Sequence, residues 1–274
     1  MNTNEELKLF ILNLTLTLRC TLKCKLCVAD ITKYDNIPHF NLDYLKDSID
    51  RCFKVVDYAE RFQLSGGEPL IHKDIDKIVD KAMEYKDRFR FLGIFSNGTV
   101  VPDEKLLKTI AKYNDTKKFK FYLSHYGKYS TKVDEIVSLL EMYNIPHDVK
   151  IYHGENQHFD GWVDYGDYQH FNYTEQQLEE IFNKCGVHKM GGIWSLRFGE
   201  LHACTRSASG MSLRKIPRNE NDFVNLFDDS ILLEHQREKL RKIQNMKYIT
   251  ACEYCTGDFG TESKAKRYPA AEQI

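Results

Sequence analysis

The sequence predicts an α/β fold built on a parallel sheet with helices between its strands. Two observations support this class. Short apolar runs alternate with segments of helical periodicity over residues 9–152. Polar motifs that could bind a metal or a ligand follow directly after several of those runs. Because ligands in open α/β sheets bind beyond the carboxyl ends of the strands, we expect these motifs to share one edge of the sheet.

The strands and helices are predicted from local patterns. Leu9 to Leu14 form a dense apolar run, which is typical of a buried parallel strand. Asn41 is expected to cap the first helix, whose apolar face carries Cys52 as a core residue. Further strands are predicted at residues 61–65, 89–95, 118–123 and 148–152, and helices at 41–57, 72–85, 102–113 and 132–142. This order implies right-handed crossovers between parallel strands.

Charge and composition exclude several partners. The chain has 274 residues, with Lys+Arg 39 against Asp+Glu 40 and a net charge of -1. We therefore expect no nucleic-acid partner, since no general basic field is present. No apolar run reaches the roughly 18 residues of a membrane span, and the polar start is not a secretory leader, so a cytoplasmic protein without membrane association is expected. In that reducing compartment the eight cysteines favour metal ligation over disulfides.

Three of the cysteines fall within eight residues, in Cys20-Thr-Leu-Lys-Cys24-Lys-Leu-Cys27. Three thiolates are one short of the four that complete a zinc or iron–sulfur site, so an iron without a protein ligand could hold a small molecule. Three reduced core cysteines or a zinc knuckle are the alternatives. About forty residues later, Gly66-Gly67-Glu68-Pro69 follows a predicted strand, and its two glycines allow a sharp turn and close approach to a ligand.

Together, CxxxCxxC and GGEP resemble the motifs of the radical S-adenosylmethionine (SAM) superfamily. The resemblance implies an open (β/α)6 barrel in which Cys20, Cys24 and Cys27 hold a 4Fe-4S cluster and SAM chelates its open iron. It also implies that an electron, expected from a flavodoxin or ferredoxin-type donor, cleaves SAM. The resulting 5′-deoxyadenosyl radical would take a hydrogen atom from the substrate.

The same resemblance implies which residues contact SAM. The GGEP segment is expected to meet the SAM amino group, and the strand end Ser96-Asn97-Gly98-Thr99 its sugar and methionyl part, although a plain turn would read the same. The family usually has an aromatic residue beside the adenine where this chain has Leu26, so a looser adenine contact is expected. The expected cofactor-binding residues are Leu26, Gly66, Gly67, Glu68, Pro69, Ser96, Asn97, Ser124 and His125.

Four further cysteines, Cys185, Cys204, Cys252 and Cys255, are separated by eighteen, forty-seven and two residues. A hairpin is predicted to turn at Gly199 between the first two. Four thiols make a closed site, which by itself does not distinguish zinc from iron–sulfur. The pattern is similar to the twitch domain of radical SAM enzymes, a shortened relative of the SPASM domain, which implies one auxiliary 4Fe-4S cluster. The spacing is most similar to that of the aminocyclitol dehydrogenase of butirosin biosynthesis.

These motifs suggest a division of the chain into three parts. Residues 1–155 are expected to form the partial barrel, residues 156–184 a linker with the last barrel elements, and residues 185–274 a small C-terminal twitch domain with a hairpin, a helix and the tail. The segment 153–172 is aromatic, polar and without clean periodicity. It is expected either to contact a hydroxylated small-molecule substrate, such as a carbohydrate, or to be a surface linker.

Candidate catalytic residues come from this segment and from the hairpin. They are Tyr165, His170 and Arg197, with Arg206 and Ser207 as further candidates beside Cys204, although arginines on hairpins are usually solvated.

The expected reaction is oxidation of an alcohol, because a fully ligated auxiliary cluster could accept the electron that leaves the substrate. Epimerisation of a sugar usually needs a free thiol as hydrogen donor, and Cys52 is the one cysteine without an assigned ligand role. A peptide-modifying maturase and a zinc-bound structural protein are the remaining alternatives.

Overall fold

The computed structural model describes residues 6–158, 162–189, 191–257 and 267–274. Strands and helices alternate through the first half of the chain, as predicted. In order they are β1 (Lys8–Thr17), α1 (Leu42–Val55), β2 (Tyr58–Gly66), α2 (Ile75–Met83), β3 (Phe89–Ser96), α3 (Glu104–Ala111), β4 (Phe119–His125), α4 (Val133–Met142) and β5 (His147–Ile151). Asn41 caps α1, where its side chain accepts a hydrogen bond from the Tyr44 backbone N–H.

The second half of the chain has shorter elements. In order they are β6 (Trp162–Val163), α5 (Glu175–Lys184), α6 (Gly186–Lys189), β7 (Ile193–Arg197), β8 (Glu200–His202), α7 (Thr205–Ser212), β9 (Phe223–Asn225), α8 (Leu233–Gln244) and β10 (Arg267–Tyr268). The predicted hairpin turn at Gly199 is present between β7 and β8, which pair antiparallel. The segment 153–172 is irregular apart from β6 and a short turn of helix at Gly154–Asn156, and its residues 159–161 lie outside the described ranges.

One mostly parallel sheet organises the molecule. Its eight strands run in the order β5-β4-β3-β2-β1-β7-β8-β9. The first six are parallel to one another, and β8 and β9 are antiparallel additions at one edge. The sheet is not closed, which confirms the predicted α/β class and the open partial barrel. The hairpin lies within this sheet, because β7 pairs directly with β1.

The two faces of β1 differ in chemistry. Leu12, Leu14 and Leu16 point to the helices and belong to the main hydrophobic core. Between them, the Asn13 side-chain oxygen accepts hydrogen bonds from Gln63 Nε2 (2.8 Å) and Ser65 Oγ on β2. The strand therefore presents an apolar face to the helices and a polar face to the interior of the partial barrel.

A smaller hydrophobic cluster lies under the C-terminal part of the sheet. Tyr168, Met211, Ile216, Phe223, Ile249 and Ala251 form it, and Cys204 and Cys252 pack against its edge. Within the described ranges, no helix combines the length and the apolar composition that crossing a bilayer requires.

Candidate active site and cluster sites

The first thiol motif follows β1 and forms a tight loop. Cys24 is buried against Leu22, and Cys20 and Cys27 pack against the same small cluster. The three thiols lie close enough to interact electrostatically. Burial raises the pKa of Cys24 to about 12 and also raises the pKa values of Cys20 and Cys27. Metal ligation would therefore release protons from this loop.

The GGEP segment is held against the backbone that precedes Cys20. The Gly67 N–H donates to the Thr17 carbonyl (2.8 Å) and the Glu68 N–H to the Arg19 carbonyl (2.9 Å). A Cβ at Gly66 would overlap the Thr17 oxygen, and one at Gly67 would overlap the Arg19 oxygen. Both glycines are therefore required by this close backbone approach. Pro69 starts the short helical turn that follows.

Glu68 joins this loop to the end of β3. Its carboxylate is fully buried and accepts hydrogen bonds from the backbone N–H groups of Leu70 (3.1 Å) and Asn97 (2.8 Å). Burial raises the pKa of Glu68 to about 7, and these hydrogen bonds oppose the shift. Glu68 therefore positions the predicted SAM-contacting strand end, while its contact with SAM itself stays a prediction.

Burial of Glu68 predicts a specific dependence of stability on pH. The carboxyl has an ordinary pKa near 4.5, so between that value and about 7 the folded chain binds the extra proton and stability falls as pH rises. The shift corresponds to about 3 kcal/mol. We expect Glu68→Gln to lose this pH dependence when urea unfolding is compared at pH 4 and pH 8. The exposed variant Glu141→Gln is the control, and identical pH profiles for Glu68→Gln and the wild type would contradict the prediction.

The end of β3 also contacts the first thiol motif. Asn97 Nδ2 donates to Cys20 Sγ (3.4 Å) and to Thr21 Oγ1 (3.1 Å). The Leu22 backbone N–H also donates to Cys20 Sγ (3.4 Å). N–H groups directed at sulfur stabilise a thiolate, so the donor set fits an iron–sulfur cluster. Ser96 is buried, and its hydroxyl accepts a hydrogen bond from Gly98 N–H.

The end of β4 lies beside these groups along the same edge of the sheet. The Ser124 carbonyl accepts a hydrogen bond from Ser130 Oγ, which also bonds the Asn97 carbonyl. His125 packs against His153, with ring centroids 4.5 Å apart and ring planes tilted by 53°. Ser124 and His125 thus remain predicted cofactor-binding residues at the expected strand end.

The four later cysteines line one cavity. Its volume is about 470 Å³, and Cys185, Cys204, Cys252 and Cys255 all contribute to its wall. Burial raises the pKa of Cys255 to about 12 and raises the pKa values of Cys204 and Cys252, and the four thiols interact electrostatically. The Gly257 N–H donates to Cys255 Sγ (3.3 Å). Four soft donors around one cavity provide the ligand chemistry that iron–sulfur and zinc sites share.

Neither thiol set is arranged as the ligands of a single ion. Across residues 6–158, 162–189, 191–257 and 267–274, no three His, Cys, Asp or Glu side chains are grouped in that way. The fit of each set to a cluster therefore rests on its soft donors, its burial and its N–H···S contacts.

A second cavity lies between the two thiol sets. It has a volume of about 300 Å³, and its wall includes Leu26 of the first motif together with Cys185, Cys204 and Cys255. Four aromatic residues, Tyr126, Tyr152, Trp162 and Tyr165, contribute to its wall together with aliphatic side chains. Tyr126 and Trp162 meet edge to face with centroids 5.8 Å apart. The cavity therefore borders the first thiol loop through Leu26 and the later thiol set through three of its four cysteines.

Arg206 lies where the cavities meet. It lines both of them, is 7% exposed, and donates to the Tyr254 carbonyl (2.7 Å) and the Gly166 carbonyl (2.7 Å). Its guanidinium also lies over the Tyr168 ring, 4.1 Å from the centroid. The Tyr168 hydroxyl donates to Asp30 (2.5 Å), and the Asp30 N–H donates to the Cys27 carbonyl (2.9 Å). Arg206 therefore connects the first thiol loop to the segment between Cys252 and Cys255.

The three predicted catalytic residues lie in different environments in the structure. Tyr165 lines the cavity between the thiol sets. Arg197 is 2% exposed and donates to Ser209 Oγ (3.0 Å) on α7, so it is buried rather than solvated. His170 is exposed and contacts Asn172 and Glu253. Ser207, a further candidate, is buried and bonds His202 Nδ1 (3.0 Å).

Unlike Arg206, the cavity-lining residues Tyr126 and Tyr152 were not predicted from the sequence as site residues. Tyr126 and Tyr152 follow β4 and β5, at the strand ends where ligands were expected, and that position is the signal that could have identified them.

The fold and the motif positions define a class: an open parallel sheet with three cysteines after its first strand and a glycine turn after its second. Residues 14–147 match the family model of the radical SAM superfamily. Over these residues the predicted resemblance to the radical SAM superfamily is confirmed.

Two curated relatives match part of the chain. The GTP 3′,8-cyclase of Stenotrophomonas maltophilia (strain R551-3) is 32% identical over 92 residues, which are 33% of this chain and 27% of the relative. The S-adenosylmethionine-dependent nucleotide dehydratase of Selenomonas ruminantium is 32% identical over 95 residues, 35% of this chain and 32% of the relative. The match thus spans about a third or less of these relatives.

Solved structures match over most of the chain. BtrN in complex with AdoMet and 2-DOIA has a TM-score of 0.56 and 17% identity, covering 96% of this chain and 99% of BtrN. Native anSMEcpe with bound AdoMet and Kp18Cys peptide has a TM-score of 0.52 and 15% identity, covering 95% of this chain and 93% of that one. At this identity the likeness concerns the fold.

Proposed function

We propose that this protein is a radical SAM dehydrogenase that oxidises an alcohol of a small polar substrate, such as a sugar or cyclitol derivative. The observation that carries the proposal is the cavity of about 300 Å³ that joins Leu26 to Cys185, Cys204 and Cys255. A substrate in this cavity would lie beside the loop that carries the first thiols and beside three of the four later cysteines, which suits a reaction that needs one electron-transfer centre on each side.

Each thiol set has a proposed role. Cys20, Cys24 and Cys27 would hold a SAM-binding 4Fe-4S cluster, and Cys185, Cys204, Cys252 and Cys255 an auxiliary 4Fe-4S cluster. When bound, SAM and the clusters supply the one-electron chemistry that removes hydrogen from a substrate carbon and accepts the remaining electron. We infer a flavodoxin or ferredoxin-type donor and a cytoplasmic location from the same resemblance.

The chain's own residues would bind and orient the substrate. Tyr126, Tyr152 and Trp162 offer ring faces for the apolar face of a sugar or cyclitol, and the cavity has the size of a small-molecule site. Arg206 keeps the loop that carries Tyr165 in place through its bond to Gly166. The phenolic oxygen of Tyr165 is the proposed polar contact for a substrate hydroxyl. These features favour a small ligand over a peptide.

The position of Cys52 favours oxidation over epimerisation. Cys52 is fully buried in the main core on α1, and burial raises its pKa to about 12. A cysteine that donates a hydrogen atom has to reach the substrate, and Cys52 does not line the cavity between the thiol sets.

The proposal predicts a specific isotope transfer. Incubation with SAM, a strong reductant and a cyclitol or sugar deuterated at the reacting carbon should give 5′-deoxyadenosine that carries deuterium. With unlabelled substrate, the product should be two mass units lighter than the starting alcohol. Mass spectrometry measures both. A product of unchanged mass with inverted configuration would establish epimerisation instead, and label transfer from a peptide alone would establish a maturase.

A further inference from the structure

The segment 267–274 packs on the first thiol loop. The Lys25 N–H donates to the Glu272 carbonyl (2.8 Å), and the Ile274 N–H donates to the Lys23 carbonyl (3.0 Å). Cys24 and Gln273 form an isolated antiparallel β-bridge between these two bonds. The segment therefore adds a short piece of β-structure to the loop that presents the cysteines.

A buried alanine and a strand pair anchor this segment. Ala271 is fully buried against Leu22 and Cys24 in the same small hydrophobic cluster. Its backbone has a φ of 54°, which turns the chain before Gln273. Upstream, β10 pairs antiparallel with β6, which carries Trp162 of the aromatic cavity wall. The segment thus contacts both the thiol loop and the strand beside the proposed substrate cavity.

The side-chain amide of Gln273 donates a hydrogen bond to the sulfur of Cys24. Gln273 Nε2 lies 3.5 Å from Cys24 Sγ and 2.6 Å from the Ala271 carbonyl oxygen, and Gln273 Oε1 lies 2.7 Å from the Lys23 backbone nitrogen. The orientation of the amide follows from its neighbours. The Lys23 N–H only donates and the Ala271 carbonyl only accepts, so the oxygen faces Lys23 and the NH₂ group faces the sulfur.

We propose that Gln273 is a positioning residue for the SAM-binding cluster, which holds the Cys24 loop in place and donates a hydrogen bond to its sulfur. The inference rests on the proposed function, since it takes Cys24 to be a cluster ligand. Hydrogen bonds to cluster sulfurs stabilise the more electron-rich reduced state and so make the reduction potential less negative.

Two variants separate the electrostatic part of this role. Gln273→Ala removes the donor and the bond to Lys23. Gln273→Glu keeps an oxygen for Lys23 but places a negative oxygen where the NH₂ group faced the sulfur. The matched control is Gln176→Ala, which removes an exposed glutamine side chain of α5 whose amide donates to Glu180 Oε1 (3.3 Å).

Two measurements on the reconstituted full-length holoenzyme test the proposal. The first is the midpoint potential of the SAM-binding cluster, followed by electron paramagnetic resonance. We expect a shift to more negative potential in Gln273→Ala, a larger one in Gln273→Glu and none in Gln176→Ala. The second is hydrogen–deuterium exchange of the peptide spanning residues 20–27. In Gln273→Ala we expect exchange about five- to tenfold faster, which corresponds to loss of one or two hydrogen bonds.

Wild-type potentials in both Gln273 variants at full cluster content would overturn the proposed effect on the cluster. Wild-type exchange in Gln273→Ala would overturn the proposed docking. Failure of the proposed function is recognised separately, because a chain that takes up no iron and sulfide has no cluster potential, whereas its exchange rates still report whether the segment holds the loop.

Discussion

Replacing Cys27 by serine is expected to abolish SAM cleavage and to lower bound iron from about eight to about four atoms per chain, since one of two four-iron clusters would be lost. The physical reason is the local geometry of the motif. Cys20, Cys24 and Cys27 pack together in one short loop, and the four later cysteines line a separate cavity. Iron and sulfide analysis after anaerobic purification, together with the yield of 5′-deoxyadenosine, measures the effect.

The matched control for this substitution is Cys52→Ala. Cys52 is fully buried in the main core, so its loss is expected to cost stability by about 1 kcal/mol while iron content and SAM cleavage stay at the wild-type level. Zinc without sulfide in the wild-type protein would contradict the prediction and favour a zinc-bound structural protein. SAM cleavage that persists in Cys27→Ser would remove the assignment of this loop as the SAM-binding site.

Replacing Cys255 by alanine should separate SAM cleavage from alcohol oxidation. We expect bound iron to fall from about eight to about four atoms per chain, while 5′-deoxyadenosine is still formed and the ketone product is lost. Cys255 lines both the cavity of the four later cysteines and the cavity that also contains Leu26, so the substitution removes a proposed ligand at the boundary between the two cavities.

The comparison of Cys255→Ala with Cys27→Ser is itself a control, because both variants lose one thiol from a buried set but are expected to lose different reactions. Ketone formation at the wild-type rate in Cys255→Ala, with only four irons bound, would show that oxidation does not depend on an auxiliary cluster. Retention of all eight irons would show that Cys255 is not a ligand.

Local sequence patterns were sufficient for the fold class and for the first thiol motif. The alternation of apolar runs with helical segments predicted the parallel strands, because a strand that is buried on both faces has apolar residues at consecutive positions. The three cysteines from Cys20 to Cys27 lie within eight residues, so a single short loop brings them together. The turn at Gly199 and the Asn41 cap were equally predictable, since each depends on neighbours a few residues away.

Local patterns were insufficient for the environment of single charged side chains. Arg197 and Arg206 lie near each other in the sequence and were both considered as substrate contacts. The strand pairing of β7 with β1 places Arg197 in a buried position against Ser209, whereas α7 directs Arg206 to the boundary of the two cavities. Register and helix packing, rather than residue type, determine this difference.

The sequence by itself determined the class of chemistry: three thiols after the first strand, a glycine turn after the second, and four more thiols towards the C-terminus. Only the tertiary structure decided which groups meet around them. Gln273 reaches Cys24 across 249 positions of sequence, and Arg206 reaches Tyr254 across 48. Short motifs depend on neighbouring residues and can be recognised locally. Contacts between distant segments depend on how the whole sheet and its loops pack, and local sequence patterns do not predict that packing.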